Sequence, residues 1–393
     1  MSLANNSQIN GSYLPALTGI RFFAIFHIFL FHLWVLYDME KPDPKFESLL
    51  LGFESLPQTL TTFLSHGWMS TSFFFVLSGF ILSYLYWGEN GELSSSKRKF
   101  WLSRFSRIYP MHIMVLLITI PFGMTIGFAK DLPLTELVPS IIVNMALIQA
   151  WYPPYIPHWS WPMWTLSALV FLYFAMPYLM RYLALLSKRQ MKILLYLLPL
   201  ASLVPTVFFV LAFSTGEKPS QNWQLFIGSN PVFWLTHFVA GMLLARVYNI
   251  SRNDSSWYPT KQKTLALGDI ALLLVIIINC IPGIETEPLK YFFRHGLMLP
   301  FYLIIILDLA KHHGLAAKLF SLPGTGVLGE TGFSIFIWQN LMMGFCWISL
   351  LIIPAAGLYH LWVAPIAIIL ISLASTYWVE KPISKWIRRR LRV

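Results

Sequence analysis

Charge is scarce in this sequence, and acid is scarcer still. Charged side chains make up 11% of the 393 residues, and 17 Asp and Glu stand against 28 Lys and Arg. Soluble globular domains carry about 25% charged residues, so a water-soluble fold is excluded. Cysteine is nearly absent. Cys280 and Cys346 both sit in apolar stretches without metal-ligand spacing, so no metal site is expected. There is no internal repeat, low-complexity tract or soluble second domain, and residues 1–393 read as one domain. Residues 1–13 are polar without a basic n-region, so no cleavable signal is expected.

Apolar residues are abundant: 56% of the chain is hydrophobic, mean hydropathy is +0.62, and aromatics reach 16% with 16 Trp. This composition predicts an all-α, polytopic transmembrane bundle with interfacial aromatic belts. The net charge of +11 then belongs to cytoplasmic loops rather than to nucleic-acid binding. Apolar segments fall near 14–37, 69–88, 107–128, 137–152, 162–185, 192–213, 229–248, 265–282, 291–310, 331–353 and 357–379. The basic clusters decide which of them cross. These are Lys97 to Arg107, Lys188 to Lys192, Arg246 with Arg252, Lys261 and Lys263, Lys311 with Lys318, and Lys381 to Arg392. All lie on one side if 137–152 is re-entrant or interfacial. Ten crossings with both termini cytoplasmic follow, in a plasma (inner) membrane. Loop 38–68, with Lys41-Pro42-Asp43-Pro44, is expected to cover the outer mouth of a cavity. The basic amphipathic tail is expected to lie on the anionic inner leaflet.

Within the first apolar segment stand Arg21 and His32. Ionisable groups at membrane depth are costly and mark pathways or sites. Eleven helical steps of about 100° bring the two to one face, roughly 16 Å apart along the axis. His27 points elsewhere. His32 suits a general base, with a bonded structural histidine as the plain alternative. Arg21 either forks onto a phosphate from the cytoplasmic side or snorkels there. Arg104 and Arg107, three apart, share a face at the same membrane surface and suit an anionic ligand. Ser78-Gly79 is a small pair suited to close helix approach; no G-x-S-x-G elbow surrounds Ser78 to make it a nucleophile.

These pieces resemble the acyltransferase-3 family of integral membrane acyltransferases. Arg21-x10-His32 resembles that family's R-x10-H signature, and Phe73–Phe80 its F-F-x-L-S-G-F segment. Phe100-x3-Arg104-x2-Arg107-Ile108-Tyr109-Pro110 resembles F-x3-R-x2-R-I-x-P. Trp164-Thr165-Leu166-Ser167 resembles the start of W-T-L-S-x-E, and Phe171-x-Tyr173 and Pro177 continue the match. Phe238-x2-Gly241, Gly329 to Trp338, Ser375 and Glu380-Lys381-Pro382 resemble the later patterns. Two positions depart: Leu169 stands where the family has glutamate, and Gln339 where a histidine is common.

The resemblance implies transfer of an acyl group, acetyl above all, from cytoplasmic acyl-CoA to a hydroxyl of an envelope glycan or similar acceptor. Acyl-CoA is then a substrate, and no tightly bound cofactor is implied. Arg21, Arg104 and Arg107 would hold the donor phosphates. His32 would act as general base or transient acyl carrier, and Trp164, Ser167 and Ser78 would shape the acceptor side. No carboxylate in the sequence is an obvious partner for His32. Two other classes compete. A transporter or flippase suits ten spans with a buried Arg and His, but lacks the repeated half. A catalytically inactive relative is motivated by Leu169 and Gln339.

Overall fold

The computed structural model describes residues 13–40, 47–88, 91–126, 132–213, 219–253 and 266–391. Lys41-Pro42-Asp43-Pro44, Lys261 and Lys263 lie outside them. The described chain is helical, with one isolated bridge between Trp87 and Leu93 in place of any sheet. This is the arrangement hydrocarbon demands, since a helix satisfies its own backbone hydrogen bonds. The elements that matter below are α1 (Pro15–Glu40), α2 (Met69–Tyr86), α3 (Lys97–Ile126), α4 (Leu134–Met145), α5 (Trp164–Ala184), α6 (Leu235–Asn253), α7 (Leu267–Asn279), α8 (Met298–Ala310), α9 (Gly332–Ile352), α10 (Gly357–Ser375) and α11 (Lys381–Leu391).

Among the described residues, nine helices are long and apolar enough to cross a bilayer. Ten crossings were expected, and the difference is α7. Its 13 residues extend about 20 Å, below the length of those nine, yet they run from Asp308 near the close of α8, which accepts the Gly268 backbone N–H at 2.6 Å, to His66 before α2. So α7 still carries the chain from one end of the bundle to the other. The 12-residue α4 is too short to span, as the re-entrant or interfacial reading of 137–152 requires. A second difference concerns α3. The apolar segment was placed near 107–128, yet the helix begins at Lys97 and runs through both Pro110 and Pro121. Arg104 and Arg107 sit on this helix, three residues apart. Membrane helices accept internal proline because neighbouring groups take up the freed carbonyls.

The bundle is held at its centre by the crossing of α2 and α6. Gly79 meets the Phe238 backbone, and Gly241 meets the Val76 backbone, so closely that a Cβ on either glycine would overlap a carbonyl oxygen. Small residues at such crossings let two helices pack backbone to backbone where lipid supplies no hydrophobic drive. Gly329 likewise lies on the Thr18 carbonyl of α1, and Gly19 on Phe320. We expect Gly241→Leu to destabilise the protein by about 1–3 kcal/mol or more through overpacking. A lowered melting temperature of detergent-solubilised protein would show it, with Gly283→Ala, at an open turn, as a milder comparison.

Helix direction fixes two ends of the molecule. α1 starts at one end and finishes at the other. His66, just before α2, bonds the Asn279 carbonyl at the close of α7 and the Glu285 carboxylate, each at 2.9 Å. That end also holds the head of α5. The opposite end gathers the close of α2, the start of α3 and the basic helix α11, where Arg388 reaches Ser106 Oγ at 3.4 Å.

Candidate active site

A cavity of about 730 Å³ runs inside the bundle. Arg21 and His32 both line it, as their spacing predicts. His27 does not: it is buried, with its ring nitrogens on Ser70 Oγ at 3.0 Å and the Phe63 carbonyl at 2.7 Å. The two histidines on one helix thus have different surroundings because they sit on different faces.

His32 has a partner. Its Nδ1 donates to Gln339 Oε1 of α9 at 3.0 Å. An imidazole protonated at Nδ1 carries its lone pair on Nε2. Gln339 therefore does what a carboxylate does for a catalytic histidine, orienting the ring and selecting the tautomer, but without a charge. The absence of an obvious acidic partner in the sequence is resolved by an amide. Gln339→Leu is expected to cost about tenfold to a hundredfold in kcat while the donor KM stays put. Steady-state kinetics on purified protein separate the two parameters, and Gln339→Glu should restore part of the rate.

Arg104 and Arg107 also line the cavity, at the end where α1 begins. Arg104 donates to the Tyr86 hydroxyl at 2.8 Å and lies over that ring. Arg107 pairs with Glu380 at 3.6 Å. Glu380 closes a π-helical turn, Thr376–Glu380, between α10 and α11, and accepts from Ser334 Oγ at 3.0 Å. Wide turns of this kind recur at functional sites. Arg21 makes no hydrogen bond or ion pair among the described residues, so its fork is unspent. Glu330, paired with Lys381, is a second carboxylate near Arg21 and Arg107. Three wall guanidinium groups with Lys381 and Arg388 against Glu380 and Glu330 leave this end of the cavity with an excess of positive charge.

The remaining predicted residues divide. Ser78 and Trp164 lie on the wall. Ser167 does not: it is buried behind it, where its hydroxyl accepts from the Ala150 backbone N–H at 3.3 Å. One helical step of 100° turns it from the cavity to the 149–151 turn. Leu169 does face the cavity, so the position that holds glutamate in the resembled family looks onto the ligand space here as leucine. The cover at the far end also differs from expectation. Of the described part of 38–68, only Trp68 reaches the wall, while Pro157–Pro162 and helix Gln221–Ser229 supply the cap. Asn340 holds the cap by donating to the Trp159 carbonyl at 3.1 Å.

Three participants escaped the sequence reading. His158, in the cap, is a second imidazole on the wall; burial holds its pKa below the usual histidine value against the pull of Glu136. Lys290 and Arg294 add two more cations at the His32 end. Two cations four residues apart at the head of the 291–310 apolar run were the available signal. No Asp or Glu is among the described residues of the wall.

Fold and site together define a multi-pass helical membrane protein with a cation-lined cavity and an oriented imidazole inside it. Residues 14–381 match the acyltransferase-3 family, described as an acyltransferase domain; the chain belongs to that family. It is 30% identical over 168 residues to acyltransferase MdmB of Streptomyces mycarofaciens, covering 42% of this chain and 38% of that protein. It is 21% identical over 356 residues to peptidoglycan O-acetyltransferase OatA of Listeria monocytogenes, covering 86% of this chain and 50% of that one. With the putative acetyltransferase ORF330 of Acidianus two-tailed virus it shares 22% over 343 residues, 86% of each. The chain thus spans half or less of the first two relatives' length. No solved structure matches it.

Proposed function

We propose that the protein is an O-acyltransferase that moves an acyl group, acetyl in the simplest case, from cytoplasmic acyl-CoA to a hydroxyl of an envelope glycan. One observation carries this reading: a single cavity holds Arg21, Arg104 and Arg107 at one end and the oriented His32 deeper in. The acyltransferase family match, and relatives named as an acyltransferase and a peptidoglycan O-acetyltransferase, support the acyl-transfer part of the reading. The basic end, with α11 beside α3, is assigned to the cytoplasm by its excess of Lys and Arg. Both termini and the donor then lie on that side, in a plasma membrane.

The lengths fit. From phosphate to sulfur the pantetheine arm has about twelve backbone bonds, and at three bonds per roughly 3.5 Å it extends about 14 Å. Arg21 and His32 are separated by roughly 16 Å along α1. Phosphates held by Arg21, Arg104 and Arg107 thus leave the thioester beside His32. There the Nε2 lone pair takes the proton of the acceptor hydroxyl as its oxygen attacks the thioester carbonyl. The tetrahedral intermediate collapses with loss of the C–S bond. The imidazolium returns the proton to the departing thiolate, and CoA leaves through the basic end.

Purified protein in proteoliposomes, given acetyl-labelled CoA and envelope glycan, should transfer label to the glycan. Movement of solute across the bilayer without label transfer would favour the transporter reading instead.

A further inference from the structure

At the His32 end, two cations of the cavity wall are left over by the donor. Lys290 lies in the turn that precedes the π-helical turn Phe292–Leu297, and Arg294 lies within it. The wide turn displaces the Arg294 carbonyl, and Ser72 Oγ takes it up at 2.6 Å. The guanidinium then lies over two indoles, its Cζ 5.3 Å from the Trp234 ring centre and 5.4 Å from that of Trp164. Gly228 makes room for it, since a Cβ there would come within 3.2 Å of Nη1. Its Nε has no hydrogen-bond partner, and neither Lys290 nor Arg294 forms an ion pair among the described residues. Glu287 offsets Lys290 in part, but it accepts from the Tyr291 hydroxyl at 3.0 Å and is not on the wall.

A partly buried guanidinium without a carboxylate is costly. Indole faces return some of that cost, yet they leave the hydrogen-bonding fork unused. The fork opens into the cavity beside Trp164, at the end away from Arg21, Arg104 and Arg107. We propose that Lys290 and Arg294 bind an oxyanion carried by the acceptor, so that the acceptor is an acidic sugar rather than a neutral one. This rests on the acyltransferase reading for the word acceptor. The anion site itself stands on geometry alone. A carboxylate and a phosphate ester share the chemistry that the pair recognises.

The test is binding, measured apart from transfer. Wild-type protein in detergent is titrated calorimetrically with D-glucuronate, glucose 1-phosphate and methyl glucoside. At least one acidic sugar should bind about tenfold or more tightly than methyl glucoside, as one charge-assisted contact supplies. Preference for glucuronate marks a carboxylate acceptor, and preference for glucose 1-phosphate a phosphorylated one. Arg294→Gln should abolish the preference while leaving acetyl-CoA affinity within about twofold; Lys290→Gln alone carries the test if that variant does not fold. Arg21→Gln should leave sugar preference intact. Equal binding of all three sugars, or loss of acetyl-CoA affinity in place of sugar preference, overturns the proposal. Failure of acyl transfer leaves this readout unchanged, so the two conclusions fall separately.

Discussion

Replacing His32 with alanine is expected to lower kcat for acyl transfer by about 10²–10⁴-fold, the range that one positioned general base supplies. The protein should still insert and fold, because the partners His32 leaves behind, the Gln339 amide and the Ile28 carbonyl, stand beside a cavity large enough for water. The donor KM should change little, since the cations that hold the phosphates stand at the other end. His158→Ala is the control. It removes the other imidazole of the wall but leaves His32 and Gln339 in place, and it should keep at least about a tenth of the activity. Loss of activity in His158→Ala with retention in His32→Ala would exchange their roles. Single-turnover label transfer, with monodispersity checked by size exclusion, reads all of this.

The second large effect is at the basic end. Arg21→Gln should raise the acetyl-CoA Kd by about ten- to a hundredfold, the 1.5–3 kcal/mol of a hydrogen bond to a charged group, with a smaller change in kcat at saturating donor. Arg21 should matter more than Arg107. Arg21 has its whole fork free, whereas Arg107 already faces Glu380 and Arg104 the Tyr86 hydroxyl. Arg21→Lys keeps the charge and loses the fork, so it should recover only part of the affinity. Raising salt should weaken donor binding in the wild type and less so in Arg21→Gln. Equilibrium binding of labelled acetyl-CoA measures each of these. An unchanged Kd in Arg21→Gln would remove the guanidinium from the donor site.

What the sequence showed was periodic and local. Arg21 and His32 meet in one cavity because eleven steps along a helix return to one face, and that geometry needs no neighbour. Arg104 and Arg107 follow the same rule. Ser78-Gly79 announced a close helix approach by size alone, while its counterpart Gly241 on α6 is identified only by the fold. What stayed hidden depends on other helices. Gln339 is 307 residues from His32, and no spacing rule links them; from the sequence it looked like a departure, while in the fold it fixes the ring. Glu380 and Arg294 are brought to their places by π-helical turns, which hydropathy does not reveal. Ser167 was placed one helical step wrongly because its motif neighbours Trp164 and Leu169 do face the cavity. The helix α3 begins ten residues before its apolar segment, at Lys97, because hydropathy marks the apolar run and not the basic turns that lead into it. The short α7 has the composition of a span in only 13 residues, and its contacts with Asp308 at one end and His66 at the other, which no spacing rule gives, show that it runs between the two ends.

The most direct measurement is a structure with acetyl-CoA bound. The phosphates should lie among Arg21, Arg104 and Arg107, and the thioester carbon should lie within about 4 Å of His32 Nε2, near-attack distance with allowance for the acceptor oxygen. Phosphates seated instead at Lys290 and Arg294, or a thioester on the far side of the cavity from His32, would contradict the assignment of both ends.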